Sequence, residues 1–386
     1  MPYDQFGRVV GSARGCTYRK GAVTLFRDRR NPAERTTIVT QLFLGIRLDC
    51  ARCHHHPFEI WAQEDFYSFA AYFARVGNKG TGLSPPISGS EEVFYSTPGA
   101  SSLTHPRTGA TLSPKPLFGV APALDGETDP RESLAAWITS KQNPFFAKVM
   151  VNRVWADLMG RGLVEPVDDL RATNPPTNPE LLDALARDFQ AADFDIKSLV
   201  RRITASHVYA LSSIPGPRNV QDTHHYSRHY RQRLRAEVML DAICEITGVP
   251  ESYSGMPPES RAKELWTTRI GSLFLDAFGR PDPNQDPPCE RTPDTTVVQS
   301  LHLMNSENLY IKVTDNNGWA AQLAESKRTP GEIVQQLYLA IYSRTPDSEE
   351  RVIGRVLLQK KVTTRRQAVE DLMWALINTP EFVFKD

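Results

Sequence analysis

Residues 46–61 read IRLDCARCHHHPFEIW. Two cysteines, three consecutive histidines and a proline stand there in a sequence of otherwise ordinary composition. The stretch follows a segment with helical character that starts at Pro32. If that helix runs on to residue 50, Cys50, Cys53 and His54 fall at i, i+3 and i+4 and share one face. Two thiols and an imidazole so placed suit covalent haem of the c type, whose signature is Cys-x-x-Cys-His. The same residues suit zinc, with Cys50, Cys53, His54 and His56 as the ligand set. They also suit a stiff loop with a purely structural role, since His56 precedes Pro57 and is therefore biased to extended backbone.

Each chemical reading needs partners from elsewhere. His/Met ligation of a haem iron calls for a methionine, and apart from Met1 none precedes Met150. A sixth ligand would come from His105, Met150, Met159, His207, His224, His225, His229, His302 or Met304; otherwise the iron is five-coordinate. No second C-x-x-C completes a zinc site, although Cys289 or the histidines of 224–229, where His225 and His229 stand at i and i+4, can serve if folding brings them near. Downstream, Phe58, Trp61, Phe66, Phe69 and Phe73 offer aromatic cover for a haem, and as a helical stripe Phe66, Phe69 and Phe73 equally suit a core.

Outward from this cluster the chain reads as mainly α. Asn31-Pro32-Ala33-Glu34, Asp129-Pro130-Arg131-Glu132 and Thr329-Pro330-Gly331-Glu332 each place a capping side chain, a proline and a glutamate at a helix start. The cap oxygen takes orphan N–H groups, proline gives up an N–H that the helix does not use, and the acid suits the positive end of the dipole. Helices are expected near 32–50, 63–76, 130–140, 144–159, 179–192, 196–207, 233–247, 294–306, 331–343, 347–360 and 365–378. Residues 77–128 are rich in Gly, Pro, Ser and Thr, and there EEVFYSTPG and LTHPRTGATLSP suit a small β-hairpin region. Three segments follow: a short N-terminal helical unit over 1–76, a connection over 77–128 and a larger helical domain over 129–386.

Composition narrows the function. Lys+Arg and Asp+Glu both total 45 among 386 residues, which argues against nucleic-acid binding. No apolar run reaches the ~20 residues that span a bilayer. Five scattered cysteines are not a disulfide framework. The N-terminal MPYDQFGRVVGSARGC lacks the apolar stretch of a signal peptide, so a protein that works outside the cytoplasm would extend beyond this chain. No nucleophile elbow, phosphate-binding glycine loop or zincin motif occurs, and enzyme activity stays open.

The stretch LFLGIRLDCARCHHHPFEIWAQEDFYSFAAYFARV (42–76) resembles the end of the planctomycete-specific cytochrome c-like domain, with its Cys-x-x-Cys-His-x-His-Pro pattern. LAAWITSKQNPFFAKVMVNRVWADLMGRGLVEPVDDLRATNPPTNPELLDAL (134–185) is similar to the opening of the planctomycete-specific domain of unknown function. RLRAEVMLDAICEITG, CERTPDTTVVQSLHLMN and LYLAIYSRTPDSEE continue that likeness. The resemblance implies an exported, periplasmic or cell-surface multidomain protein, with haem c on Cys50 and Cys53, His54 as proximal ligand and His56 as the motif's second histidine. It also implies a redox partner or an upstream cytochrome-like domain, and a sulfatase-like neighbour. The competing expectation is a non-redox surface binding or scaffold protein, held at the Cys/His cluster by zinc or a disulfide.

Overall fold

The computed structural model describes residues 1–80, 92–124, 127–265, 267–282, 296–360 and 362–385. Among these the fold is mainly α, with 17 α-helices and about 6% strand. Contacts divide the chain into two compact units, Met1–Tyr230 and Arg231–Asp386. The boundaries expected at 76/77 and 128/129 mark changes of composition, while this division marks separate cores.

In the first unit the Pro144–Met159 helix is central, packed on Pro32–Leu44, Pro179–Ala191 and Ile196–Thr204. It buries Phe146, Val149, Val151, Trp155 and Met159 on several sides, which suits a helix enclosed by others. Asn143 starts it, its Oδ1 accepting the amides of Phe145 and Phe146 at 3.0 and 3.3 Å. The caps expected at Asn31 and Asp129 are formed, and Asn31 and Glu34 make a reciprocal capping box. Tyr3–Gly11 is a helix that its sequence hides, because glycine disfavours helix. Gly7 and Gly11 let it approach the Pro130–Ile138 helix: a Cβ on Gly7 would lie 3.1 Å from Thr139, and one on Gly11 3.4 Å from Ala135.

Two helices end earlier than their periodicity suggests. The one expected to reach residue 50 stops at Leu44, because Gly45 takes a left-handed conformation, φ 65°. Gln63–Ala70 tightens into the 3₁₀ turn Ala71–Phe73 and gives way to a strand, Val76–Gly80. That strand pairs antiparallel with Glu92–Ser96, whose other edge takes Gly15–Cys16. Leu103–Thr104 pairs with Thr111–Leu112. Within the expected hairpin region LTHPRTGATLSP therefore pairs with itself, whereas EEVFYSTPG supplies the central strand of the three-stranded sheet.

The second unit has its own core, in which Val334 and Leu337 of Pro330–Tyr342 meet Val369 and Met373 of Arg365–Ile377. The stripe Val369, Leu372, Met373 and Leu376 is buried as its spacing requires. Thr329 and Thr364 form capping boxes with Glu332 and Gln367. At Thr345-Pro346-Asp347 the cap is Asp347, so the helix begins at Ser348. A two-stranded ribbon, Gln232–Arg233 with Phe384–Lys385, joins the unit's first and last segments. No helix among the described residues is long and apolar enough to cross a membrane.

Candidate functional site at the cysteine–histidine turn

Left-handed Gly45 turns the chain away from the Pro32–Leu44 axis and into a short 3₁₀ turn, Asp49–Arg52. The expected i, i+3, i+4 relation survives within that turn, because the amides of Cys53 and His54 both donate to the Cys50 carbonyl, at 3.3 and 3.4 Å. Ala51 points inward and is wholly buried, while Cys50, Cys53 and His54 are exposed. A small apolar residue thus anchors the turn and its polar neighbours face outward. Gln63 Nε2 donates to the Arg52 carbonyl at 2.8 Å and Thr37 Oγ1 to Asp49 at 3.2 Å, which fixes the turn to the helices on either side.

The chain between the turn and Trp61 is stitched to residues 165–176. Leu170 N donates to the Gly45 carbonyl at 2.8 Å, and Ala172 N to Glu59 Oε1 at 2.7 Å. Asp168 gathers Gln41 Nε2 at 2.9 Å, Arg47 Nη2 at 2.8 Å and Arg153 Nη2 at 3.7 Å. Arg153 also donates to the Leu42 carbonyl at 2.6 Å. This cluster makes no use of the thiols and serves to hold the loop in place.

Between the two stitched segments lies a groove of about 790 Å³, within the range of about 300–1,000 Å³ usual for small-molecule sites. Ile46, Trp61, Phe118, Phe145 and Leu170 give it apolar walls, and Cys50 and His56 open onto it. Its cations are paired: Arg47 with Asp168, Lys148 with Asp183 at 2.5 Å and Arg171 with Asp169 at 3.2 Å. Cys53 and His54 lie outside the groove wall. Phe66, Phe69 and Phe73 do not line it either: at 0–1% exposed they belong to the core, so the aromatic stripe packs protein and only Trp61 and Phe58 of the expected wall reach the groove. The contributions of Phe145, Lys148, Leu170 and Arg171 carry no signal in the sequence, since each reads as an ordinary helix or loop residue.

His54 and His56 differ in their bonding. His54 Nδ1 lies 2.6 Å from the His55 carbonyl. A carbonyl only accepts, so Nδ1 carries the proton and the neutral ring presents a bare, exposed Nε2. His56 is the reverse: its Nδ1 accepts the Phe58 amide at 3.2 Å, so Nε2 holds the proton. Cys50 and Cys53 are free thiols in the structure. Among the described residues no three His, Cys, Asp or Glu side chains converge to hold a metal ion, so Cys50, Cys53, His54 and His56 are not gathered as a zinc set. Cys289 lies outside the described residues.

Among the described residues none of the more distant histidines and methionines of this unit lines the groove. His105 is buried, with Nδ1 accepting the amides of Arg107 and Thr108 at 3.2 and 3.1 Å. Met159 is core. His229 bonds through Nε2 to the Leu158 carbonyl at 2.9 Å, whereas His224 and His225 are exposed on a loop that Asp222 organises by accepting their amides. In the second unit His302 is half-buried against Phe274 and Phe278 and has no polar partner among the described residues, unlike the satisfied core histidine its helix suggests.

A helical protein with a Cys-x-x-Cys-His turn beside a groove is the class that fold and site define. Comparison with known families agrees at the level of planctomycete-type domains. Residues 12–78 match PSCyt2, described as a protein of unknown function (DUF1549), and residues 130–358 match PSD1, likewise described as a protein of unknown function (DUF1553). The second match covers more than half of the chain, and the chain belongs to the PSD1 family. It runs across the division between the two compact units. No curated protein and no solved structure matches.

Proposed function

We propose that this chain carries a covalently bound haem c and takes part in electron transfer within an exported multidomain protein. The observation that carries the reading is the bare Nε2 of exposed His54, standing on the same turn as two free thiols, of which Cys50 opens onto an apolar groove. The residues fit the group in kind. Cys50 and Cys53 would each add across a vinyl group: sulfur bonds to one vinyl carbon, the thiol proton goes to the other, and no electrons are exchanged. His54 would bind the metal through Nε2, while its Nδ1–H stays on the His55 carbonyl and keeps the ring in the right tautomer. Ile46, Trp61, Phe145 and Leu170 would exclude water from one side of a flat apolar ligand. When bound, haem supplies one-electron chemistry whose potential depends on its axial ligand and its burial. Attachment of this type calls for export, in keeping with a periplasmic or cell-surface location.

Zinc and disulfide readings gain no support from the geometry, since no ligand set converges among the described residues and Cys50 and Cys53 are free thiols. The test is expression in a periplasm equipped with haem-maturation machinery, followed by a denaturing gel stained for haem peroxidase activity. The wild-type chain is expected to stain, and Cys50→Ser with Cys53→Ser to abolish the stain. A folded wild-type chain that leaves the maturation pathway colourless would overturn the proposal. Metal analysis of protein made without haem maturation checks the zinc alternative directly.

A further inference from the structure

Phe58 and Ile60 both line the groove beside Cys50, yet they are 60% and 84% exposed. Large apolar side chains left so open to water are unfavourable, and a flat apolar ligand that covers them relieves this. The loop that carries them is pinned. His56 N donates to the Trp61 carbonyl at 2.8 Å, and Glu59, between the two open residues, accepts from Ala172 N at 2.7 Å. Their exposure is therefore built into the loop, and the surface they offer faces a space of about 790 Å³.

The charges of the wall decide which apolar ligand fits. Among the described residues three cations, Arg47, Lys148 and Arg171, stand against two carboxylates, Glu59 and Asp169. Each cation has an acidic partner, but that pairing does not use up Lys148 or Arg171. An ammonium has three donors and a guanidinium five. Lys148 meets Asp183 at 2.5 Å, and Arg171 meets Asp169 through Nη2 at 3.2 Å, which leaves further donors on both. The Arg171 guanidinium also lies over the Phe58 ring, 5.8 Å from its centre, so a cation stands directly beside the open apolar surface. The complement of this wall is a flat apolar body with carboxylates at its rim.

We propose that the groove recognises the tetrapyrrole itself, apart from any thioether bond: Phe58 and Ile60 cover the ring, and Lys148 and Arg171 pair with its two propionates. The choice of ligand rests on the haem reading of the neighbouring turn. The Pro144–Met159 helix and the loop over 165–176 thereby share in holding the group that the turn attaches.

The test uses deuteroporphyrin IX, which keeps both propionates but has neither iron nor vinyl groups, and its dimethyl ester, which is uncharged. Both are titrated onto the full chain made without haem maturation, with binding read by fluorescence. The diacid is expected to bind about tenfold more tightly than the diester, because its hydrogen bonds are charge-assisted. Lys148→Ala with Arg171→Ala is expected to erase that difference, and Ile60→Ser to weaken both ligands roughly three- to tenfold. Should the double variant fail to fold, Lys148→Ala decides alone, since its pair with half-exposed Asp183 adds little to stability; it is expected to narrow the gap about threefold. A diester that binds as tightly as the diacid overturns the proposal. So does a chain that takes up neither ligand at about 50 μM, or a folded variant of the two cations that keeps the full preference. A chain that prefers the diacid but stays colourless after haem maturation keeps this groove and loses the covalent reading. A stained chain without the preference does the reverse.

Discussion

His54 and His56 lie two residues apart and carry their protons on opposite ring nitrogens, because one faces a carbonyl and the other an amide. Only the first presents a bare Nε2 outside its own loop. In haem-loaded protein, His54→Ala is therefore expected to keep the covalent stain, which depends on the thiols, while shifting the Soret band and opening the iron to added imidazole. His56→Ala is expected to leave the spectrum as it was. The opposite pattern in absorption spectroscopy would transfer the ligand role to His56. The residue types at this site were legible in the sequence, and so was the one-turn spacing of Cys50, Cys53 and His54. Their protonation was not, since it depends on which backbone group each ring meets.

At the scale of elements, caps and breakers decided more than periodicity did. Asn31, Asp129 and Thr329 announce their helices because side-chain capping is local chemistry. The periodicity leading up to residue 50 gave no warning that Gly45 would end the helix, because a glycine is compatible with either outcome. Its left-handed φ is needed here, and a Cβ would lie 3.0 Å from side-chain atoms of both Leu170 and Val149. Gly45→Ala is expected to cost about 1–2 kcal/mol from backbone strain alone, visible as a lower urea midpoint with an unchanged slope. An alanine variant as stable as the wild type would show that the turn tolerates a right-handed residue and that the loop's direction is set elsewhere. Gly7 and Gly11 make the complementary point. In sequence they argue against a helix, and in the structure they permit two helices to approach closely.

At the scale of the whole molecule, each unit is closed by contacts between segments far apart in sequence. In the second unit Arg344 holds Glu350 with Nη1 and Nη2 at 2.8 and 2.7 Å, and Glu381 with Nε and Nη2 at 2.6 and 2.8 Å. It also lies over the rings of Tyr338 and Tyr342. The Arg344 hydrogen bonds hold the Glu350 carboxyl below its usual range. A depressed folded-state pKa gives stability that is present above the unfolded value and lost as pH falls through the folded one. Because Arg344 is 38% exposed, solvent screening limits the pair to about 1 kcal/mol. Glu350→Gln is thus expected to lower Tm at pH 7 by a few degrees, and the gap to wild type to close below about pH 4. A gap that stays constant with pH in calorimetry would rule out the ionised pair as its source.

The sequence by itself determined the helical class, most helix starts, the extended character of the segments around 92–96 and 103–112 and the identity of the thiols and imidazoles at the turn. These follow from local effects: capping, side-chain period, and the number of bonds between neighbouring groups. Only the tertiary structure decided that Phe66, Phe69 and Phe73 pack the core and that residues 144–182 complete the groove beside Cys50. Those outcomes depend on which distant surfaces exclude water together, and the order of residues along a chain does not carry that information in any local pattern.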